Sequence, residues 1–216
     1  MEIRVELPGV KLGVLEADAV KVEAATAELA REMAEYCERR RKEISVEQVM
    51  ELEAIRDVRA MFRAWEVDPA RYRPSGEALL RRVAQGKGLY RISNVVDASN
   101  LGSIETGWPY GTYDRGAITP PVTLRAGAAG ETYQGIGKQT WHLEGRPVLA
   151  DVAGAFGSPI SDSTRSMVTD KARDILSVIF APQRTSEAAL REALGKFAKR
   201  LEVYAGAAAT RTEIIA

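Results

Sequence analysis

The chain opens on two stretches of alternating character. Ile3, Val5 and Leu7 alternate with charged residues, Pro8-Gly9 turns the chain, and Val10, Leu12 and Val14 alternate again. Period-two patterning predicts two short strands. Over about 19–42 the period lengthens. Val22, Ala25, Leu29, Met33 and Tyr36 recur at helical spacing, with Glu and Arg on the other face. Ser45-Val46-Glu47-Gln48 forms a capping box opening a second helix. Its apolar stripe runs Val49, Leu52, Ile55, Val58, Met61, Phe62 and Trp65, and Asp68-Pro69 ends it. Pro74-Ser75-Gly76 starts a third helix over 76–85, which Gly86-Lys87-Gly88 stops.

Beyond Leu89 short β-branched or aromatic runs alternate with Gly, Pro, Asn and Asp. Strands are expected at 89–92, 122–125, 132–135, 148–150 and 175–180, with a short helix near 166–174. A final helix spans 186–205, with Leu190, Leu194, Phe197, Leu201 and Tyr204 on one face. The Ala-rich stretch 205–209 reads as a frayed tail. Helices thus flank a β-rich middle, an α+β plan.

Composition narrows the chemistry. The 216 residues are 45% hydrophobic and 28% charged, the balance of an ordinary globule. Thirty cations offset thirty carboxylates, so any polyanion site is a local patch. One cysteine (Cys37) forbids an intrachain disulfide and suits a reducing compartment. One histidine (His142) leaves too few ligands for a Cys/His zinc site, and no metal or other cofactor is expected. The charged N-terminal segment is unlike a signal sequence, and no run approaches the eighteen or so apolar residues of a membrane span. A cytoplasmic protein is expected, with no membrane or DNA partner.

Several segments carry candidate chemistry. Arg71, Arg73, Arg81, Arg82, Lys87 and Arg91 face only Glu77 across 71–91, a phosphate-contact candidate or a solvated helix face. Gly130 to Lys138 lacks the Ser or Thr that a phosphate loop places after its Lys, and reads as a β-turn. His142-Leu143-Glu144 begins a zinc-deaminase pattern whose cysteines do not exist. Residues 157–165 form the densest polar loop; its hydroxyls suit a ligand or cap a following helix. Residues 107–114 gather three aromatics among small residues, as a ligand wall or a lid on the core.

Taken in order, these segments resemble the tRNA-editing B-three/B-four domain of the phenylalanyl-tRNA synthetase β subunit, and especially its free-standing relatives. Asp97-Ala98-Ser99-Asn100 resembles that module's Asp-x-x-Asn, and 107–114 its Gly-x-Pro-x-His-x-Phe-Asp loop. Leu124-Arg125-Ala126-Gly127 with Gly130-Glu131 resembles its Arg-x-Ala…Gly-Glu, and Leu149-Ala150-Asp151 its Ile-Ala-Asp. Gly154-Ala155-Phe156-Gly157, then Ser161 and Thr164, resembles its Gly-x-x-Gly…Ser…Thr stretch. The likeness covers about 68–182, and a single domain over 1–216 is expected. Residues 1–67 supply strands and two helices; residues 183–216 supply the last helix and tail.

The resemblance implies a tRNA-binding protein that hydrolyses the ester of a mischarged aminoacyl-tRNA in trans, or a non-catalytic RNA- or amino-acid-binding module on the same fold. It does not imply a ligase that charges tRNA by itself, and it leaves oligomeric state open. Carried over, Ser161, Thr164 and Asp170 are the catalytic candidates. Asn94, Asp97, Asn100, Gly111, Tyr113, Asp114, Gly157, Ser158 and Asp162 are the pocket candidates. Arg71, Arg73, Arg81 and Arg82 are the RNA-phosphate candidates. Gly111 stands where the family carries His, so the pocket differs in shape. Such hydrolysis needs no strong nucleophile, because the ester is reactive and the protein need only position it and offer donors to the oxyanion. Asp97, Asn100, Asp114 and Arg125 are expected to fix loops rather than touch the ester.

Overall fold

The computed structural model describes residues 1–137 and 139–216. Strand β1 (Ile3–Val5) and the longer β2 (Val10–Asp18) stand either side of the Pro8-Gly9 turn, as the alternation predicts. Helix α1 (Ala27–Glu43) starts later than the apolar spacing suggests. The preceding residues run extended because other elements claim their amides: Val20 N donates to Arg173 O (2.7 Å), Lys21 N to Ala205 O (2.8 Å) and Glu23 N to Asn94 Oδ1 (3.0 Å). Thr26 Oγ1 then accepts the Leu29 N–H and opens the helix.

The Ser45–Gln48 box forms in both directions, yet it opens a single 3-10 turn (Gln48–Glu51). Helix α2 (Glu53–Ala64) follows, and α3 spans Ser75–Ala84. A Cβ on Gly76 would sit 2.7 Å from the Gly107 and Trp108 carbonyls, so α3 packs there backbone to backbone.

No strand forms at 89–92; that segment lies irregularly, with Arg91 reaching Ala30 O (3.4 Å). Next comes a helix that the patterning does not show, α4 (Asn94–Thr106), capped by Ser93 and ended by left-handed Gly107. It packs against α1, α3, α5 and the strand that follows it. A helix covered on many sides carries no one-sided apolar stripe. Its small polar residues are buried and paired: Ser99 Oγ lies 2.7 Å from Thr112 Oγ1, and Ser103 Oγ donates to Trp108 O (2.6 Å).

Strand β3 (Tyr110–Asp114) takes the place of the aromatic loop. Then come β4 (Val122–Ala126), β5 (Thr132–Gln134), β6 (Thr140–His142), β7 (Pro147–Asp151), β8 (Gly154–Gly157) and β9 (Ile175–Pro182). The turn read over Gly130 to Lys138 is present at 129–130 and again at 136–137, with β5 between them; Lys138 lies outside the described residues. Nothing helical forms at 166–174. There Asp114 N donates to Ser166 O (2.9 Å) and Met167 bridges Tyr113, so the backbone pairs with β3 instead. Helix α5 (Glu187–Ala205) is capped by Ser186 and left-handed Gly206. The tail is a strand, β10 (Ala209–Ile215), paired with β2 along its whole length.

The chain is therefore α+β. One sheet runs β10-β2-β9-β3, all antiparallel. Every residue of β9 is buried, which explains its unbroken apolar run. A second sheet runs β1-β4-β7-β8, with β1 parallel to β4. A β5-β6 ribbon stands apart over a small cluster of Tyr133, Leu143 and Val148. The main core extends from Ile3 to Ala205. Arg200 ties α5 to α1 and α4 through Glu32 and Glu105 (2.6 Å each). Among the described residues no helix is long and apolar enough to cross a membrane.

Candidate functional site

Gly111 and Tyr113 lie two apart on β3 and so share a face. The Tyr113 ring leans back over Gly111 and also covers Gly157 at the end of β8; a Cβ on either glycine would collide with it. Tyr113 is fully buried and meets Phe156 edge-on, centroids 5.0 Å apart at 89°. The hollow expected between the two glycines is therefore filled by this chain's own aromatic ring. The Tyr113 hydroxyl donates to Asp162 Oδ1 (2.9 Å), which also accepts the Ser158 N–H (3.2 Å). Burial pushes the Asp162 carboxyl up to about 7, against the pull of those two donors.

The turn after β8 is held by its own hydroxyl. Ser158 Oγ accepts from the Ile160 and Ser161 amides (3.2 and 3.0 Å) and donates to the Ser161 carbonyl (2.7 Å). The Tyr133 hydroxyl, from β5, donates to the same carbonyl. Thr164 is anchored to β5, its N–H and Oγ1 both donating to Gln134 O (2.8 and 3.2 Å).

Beside this filled hollow lies an open one. A cavity of about 550 Å³ is lined by Thr132, Tyr133 and Gln134 from β5, by the β7–β8 turn, and by Ser163, Thr164 and Arg165. Its rim is stiff. Arg165 pairs with Asp151 (2.9 and 3.1 Å) and donates to Gly154 O and Ala117 O. Burial opposes the Asp151 charge, but Arg165 and the Thr119 and Ala153 amides hold its pKa below the usual value. Arg125 closes bidentately on Glu131 (2.8 Å each), and Glu131 also accepts the Ala128 amide. Arg125 thus fixes the β4–β5 loop, as expected of it.

The remaining candidates separate. Gly111, Tyr113, Gly157, Ser158 and Asp162 come together, with Ser161 in the adjoining turn and Thr164 in the open cavity. Asn94 instead binds the start and end of the helical layer, its amide donating to Lys21 O (2.9 Å) and Tyr204 O (2.8 Å). Asp97 is buried at the start of α4, where Oδ1 accepts the Ile92 N–H (2.9 Å); burial pushes its carboxyl up. Asn100 lies further along the same helix. Asp114 caps the turn after β3 by accepting the Gly116 N–H (3.0 Å). Asp170 is exposed, and its carbonyl accepts from Arg173 (2.9 Å).

The four phosphate candidates also divide. Arg71 and Arg73 precede α3, where Ser75 N donates to Pro159 O (3.0 Å) and brings the segment against the Ser158 turn. Arg81 and Arg82 lie in the last turn of α3. Arg73 shares the buried Glu77 with Arg59. Beside them stands a group that sequence reading missed. The guanidiniums of Arg146 and Arg71 lie over the Tyr72 ring, 3.8 and 5.1 Å from its centroid, and Arg146 also donates to the Tyr72 hydroxyl (2.6 Å). Only the adjacency of Arg71, Tyr72 and Arg73 hinted at it; Arg146 joins through the fold, 74 residues away.

The family model of the B3/4 domain matches residues 58–206. The chain belongs to the B3/4 domain family. The match takes in both the filled and the open hollow of this B3/4 domain and the whole of α5. No curated protein matches the sequence. Among solved structures, the chain is similar to the crystal structure of an N-terminal fragment of the phenylalanyl-tRNA synthetase beta-subunit from Pyrococcus horikoshii. Identity is 15% and the TM-score 0.45, over 99% of this B3/4 chain and 50% of that one. The chain thus spans half the length of that fragment.

Proposed function

We propose that this B3/4 protein binds the single-stranded 3′ end of a tRNA, seating it in the open cavity beside the Tyr133–Ser158 turn. The observation that carries the reading is the Arg71–Tyr72–Arg146 stack next to that turn. Guanidinium planes accept a stacked base and bind phosphate bidentately, which is the chemistry of single-stranded RNA recognition. The cavity adds hydroxyl, amide and guanidinium groups without a net charge of its own, since Arg165 is matched by Asp151 and the lining Glu131 by Arg125. Tyr113 occupies the space an amino-acid side chain would need between Gly111 and Gly157, which favours binding over turnover.

Hydrolysis of a mischarged aminoacyl ester is the second reading, and one observation favours it. Asp162 stands near neutrality, where a carboxyl can take a proton from water and return it to the leaving ribose oxygen. In that reaction water oxygen bonds the ester carbon, and the bond to the ribose oxygen breaks. Ser161 and Thr164 would serve the ester end.

Two assays separate the readings. Equilibrium binding of intact tRNA and of tRNA trimmed of its 3′ single strand tests the first; trimming lowers affinity at least several-fold if the end is seated. Equal affinity for both, or none for either, contradicts it. Deacylation of a panel of mischarged tRNAs tests the second; release above the uncatalysed rate, lost in Asp162→Asn, supports it.

A further inference from the structure

We infer that the adjoining C-terminal ends of α1 and α3 form a second contact surface for the same RNA, holding the backbone of its duplex. The inference rests on the tRNA-binding reading above and adds a surface remote from the cavity.

The two helix ends meet. A Cβ at Gly86, just past α3, would touch Arg41 Cδ at 3.5 Å, and Arg81 Nη1 reaches Val46 O, just past α1, at 3.4 Å. Residues 38–47 and 81–87 together hold seven cations and three carboxylates. Two of those carboxylates are already shared, and the third, Glu47, accepts from the Ser45 hydroxyl (2.8 Å). Glu38 lies between Arg41 (2.9 Å) and Lys42 (3.3 Å), and Glu43 between Arg40 (3.0 Å) and Arg39 (4.0 Å). The hydrogen bonds from Arg41 and Lys42 lower the Glu38 carboxyl to about 2. Arg82 and Lys87 have no carboxylate within ion-pair distance among the described residues. Arg82 stacks instead on Tyr90, 3.9 Å from a ring that is 51% exposed.

Helix ends attract cations for a bland reason, since each macrodipole places about half a negative charge there. Two helices account for roughly one charge of the surplus of four, so about three remain unanswered. On a chain of zero net charge such a surplus is a local device. A phosphate backbone meets it with evenly spaced charges, and exposed Tyr90 adds a face for sugar or base. The spacing suits one ligand reaching both sites. Helix α3 has ten residues; it starts two residues after Arg73 and carries Arg82 in its last turn. At 1.5 Å per residue that is roughly 15 Å, the length of about four stacked base pairs. An RNA whose single-stranded end enters the cavity would lay its adjoining duplex on this surface.

The test compares the intact chain with the triple variant Arg39→Gln, Lys42→Gln, Lys87→Gln, all at solvent-facing positions. The probes are whole tRNA and a short single-stranded oligonucleotide of its 3′ end, each titrated by fluorescence anisotropy at several salt concentrations. The expected result is about tenfold or greater weakening for whole tRNA at 0.1 M salt. Its salt slope falls by about two to three, and affinity for the oligonucleotide is unchanged. The charge-keeping triple Arg39→Lys, Lys42→Arg, Lys87→Arg retains binding. Unchanged tRNA affinity and slope in the neutral triple would overturn this surface and leave the cavity reading standing. Loss of binding in the charge-keeping triple would overturn it too, because charge would not be the cause. No binding of either probe by the intact chain would remove the function itself, and this surface with it.

Discussion

Two hollows lie side by side against β8, and they have opposite contents. Between Gly111 and Gly157 the space is taken by Tyr113, packed on Phe156 and hydrogen-bonded to Asp162. On the other side, between β5 and the Ser163–Arg165 turn, the space is open, about 550 Å³, and walled by polar groups with fixed partners. The residues that carry the family resemblance build both. Glycines spaced for a ligand need not admit one: the chain can use the room itself. The open hollow is the one to which a ligand has access.

The largest effect should come from emptying the filled side. Tyr113→Ala removes a fully buried ring and should cost about 3–5 kcal/mol in urea denaturation. A loss below about 1 kcal/mol would mean the ring does not fill the hollow. Gly157→Ala pushes a methyl into the same ring and should cost about 1–3 kcal/mol. In the Tyr113→Ala background that cost should shrink, a coupling that a double-mutant cycle reads directly. Ser158→Ala unties the turn between the hollows and should cost about 1–2 kcal/mol, leaving two amides without their acceptor.

An effect read along pH rather than by truncation follows from Asp162. Its native pKa of about 7 stands above the roughly 3.9 of an unfolded aspartate, so the native state holds the extra proton between those values. Stability from this group is full below about pH 4 and is lost as pH rises to about 7. The difference in stability between the intact chain and Asp162→Asn should decline over that window. A flat difference would show that the carboxyl is not desolvated as described. Smallest in stability is Gln134→Ala, an exposed wall of the open hollow, which should stay within about 0.5 kcal/mol while weakening tRNA several-fold.

How far the sequence carried depends on how one-sided each element is. Helices α1, α2, α3 and α5 each put one face into the core and show it as a stripe. Strand β9 shows as an apolar run. Helix α4 escaped because its sides are buried against several elements and its small polar residues pair with neighbours, leaving a sequence that looks like a loop. The tail looked frayed because Ala205–Ala209 dominates the eye; the Thr-Arg-Thr-Glu alternation beyond it pairs with β2. In the site, motif order placed Gly111, Gly157, Ser158 and Asp162 together, but it could not show that Tyr113, two residues from Gly111, folds back into the gap. Nor could it place Arg146 over Tyr72. Contacts of that kind depend on a side-chain rotamer and on pairings across 74 residues, and neither leaves a local pattern.

The most direct test of the central claim is amide hydrogen exchange on the intact chain with and without tRNA. Occupation of the open hollow predicts slowed exchange at 132–134 and 163–165 on adding tRNA, with 111–113 already slow and unchanged. Protection confined to 111–113 and 157, or no change anywhere at saturating tRNA, would contradict it.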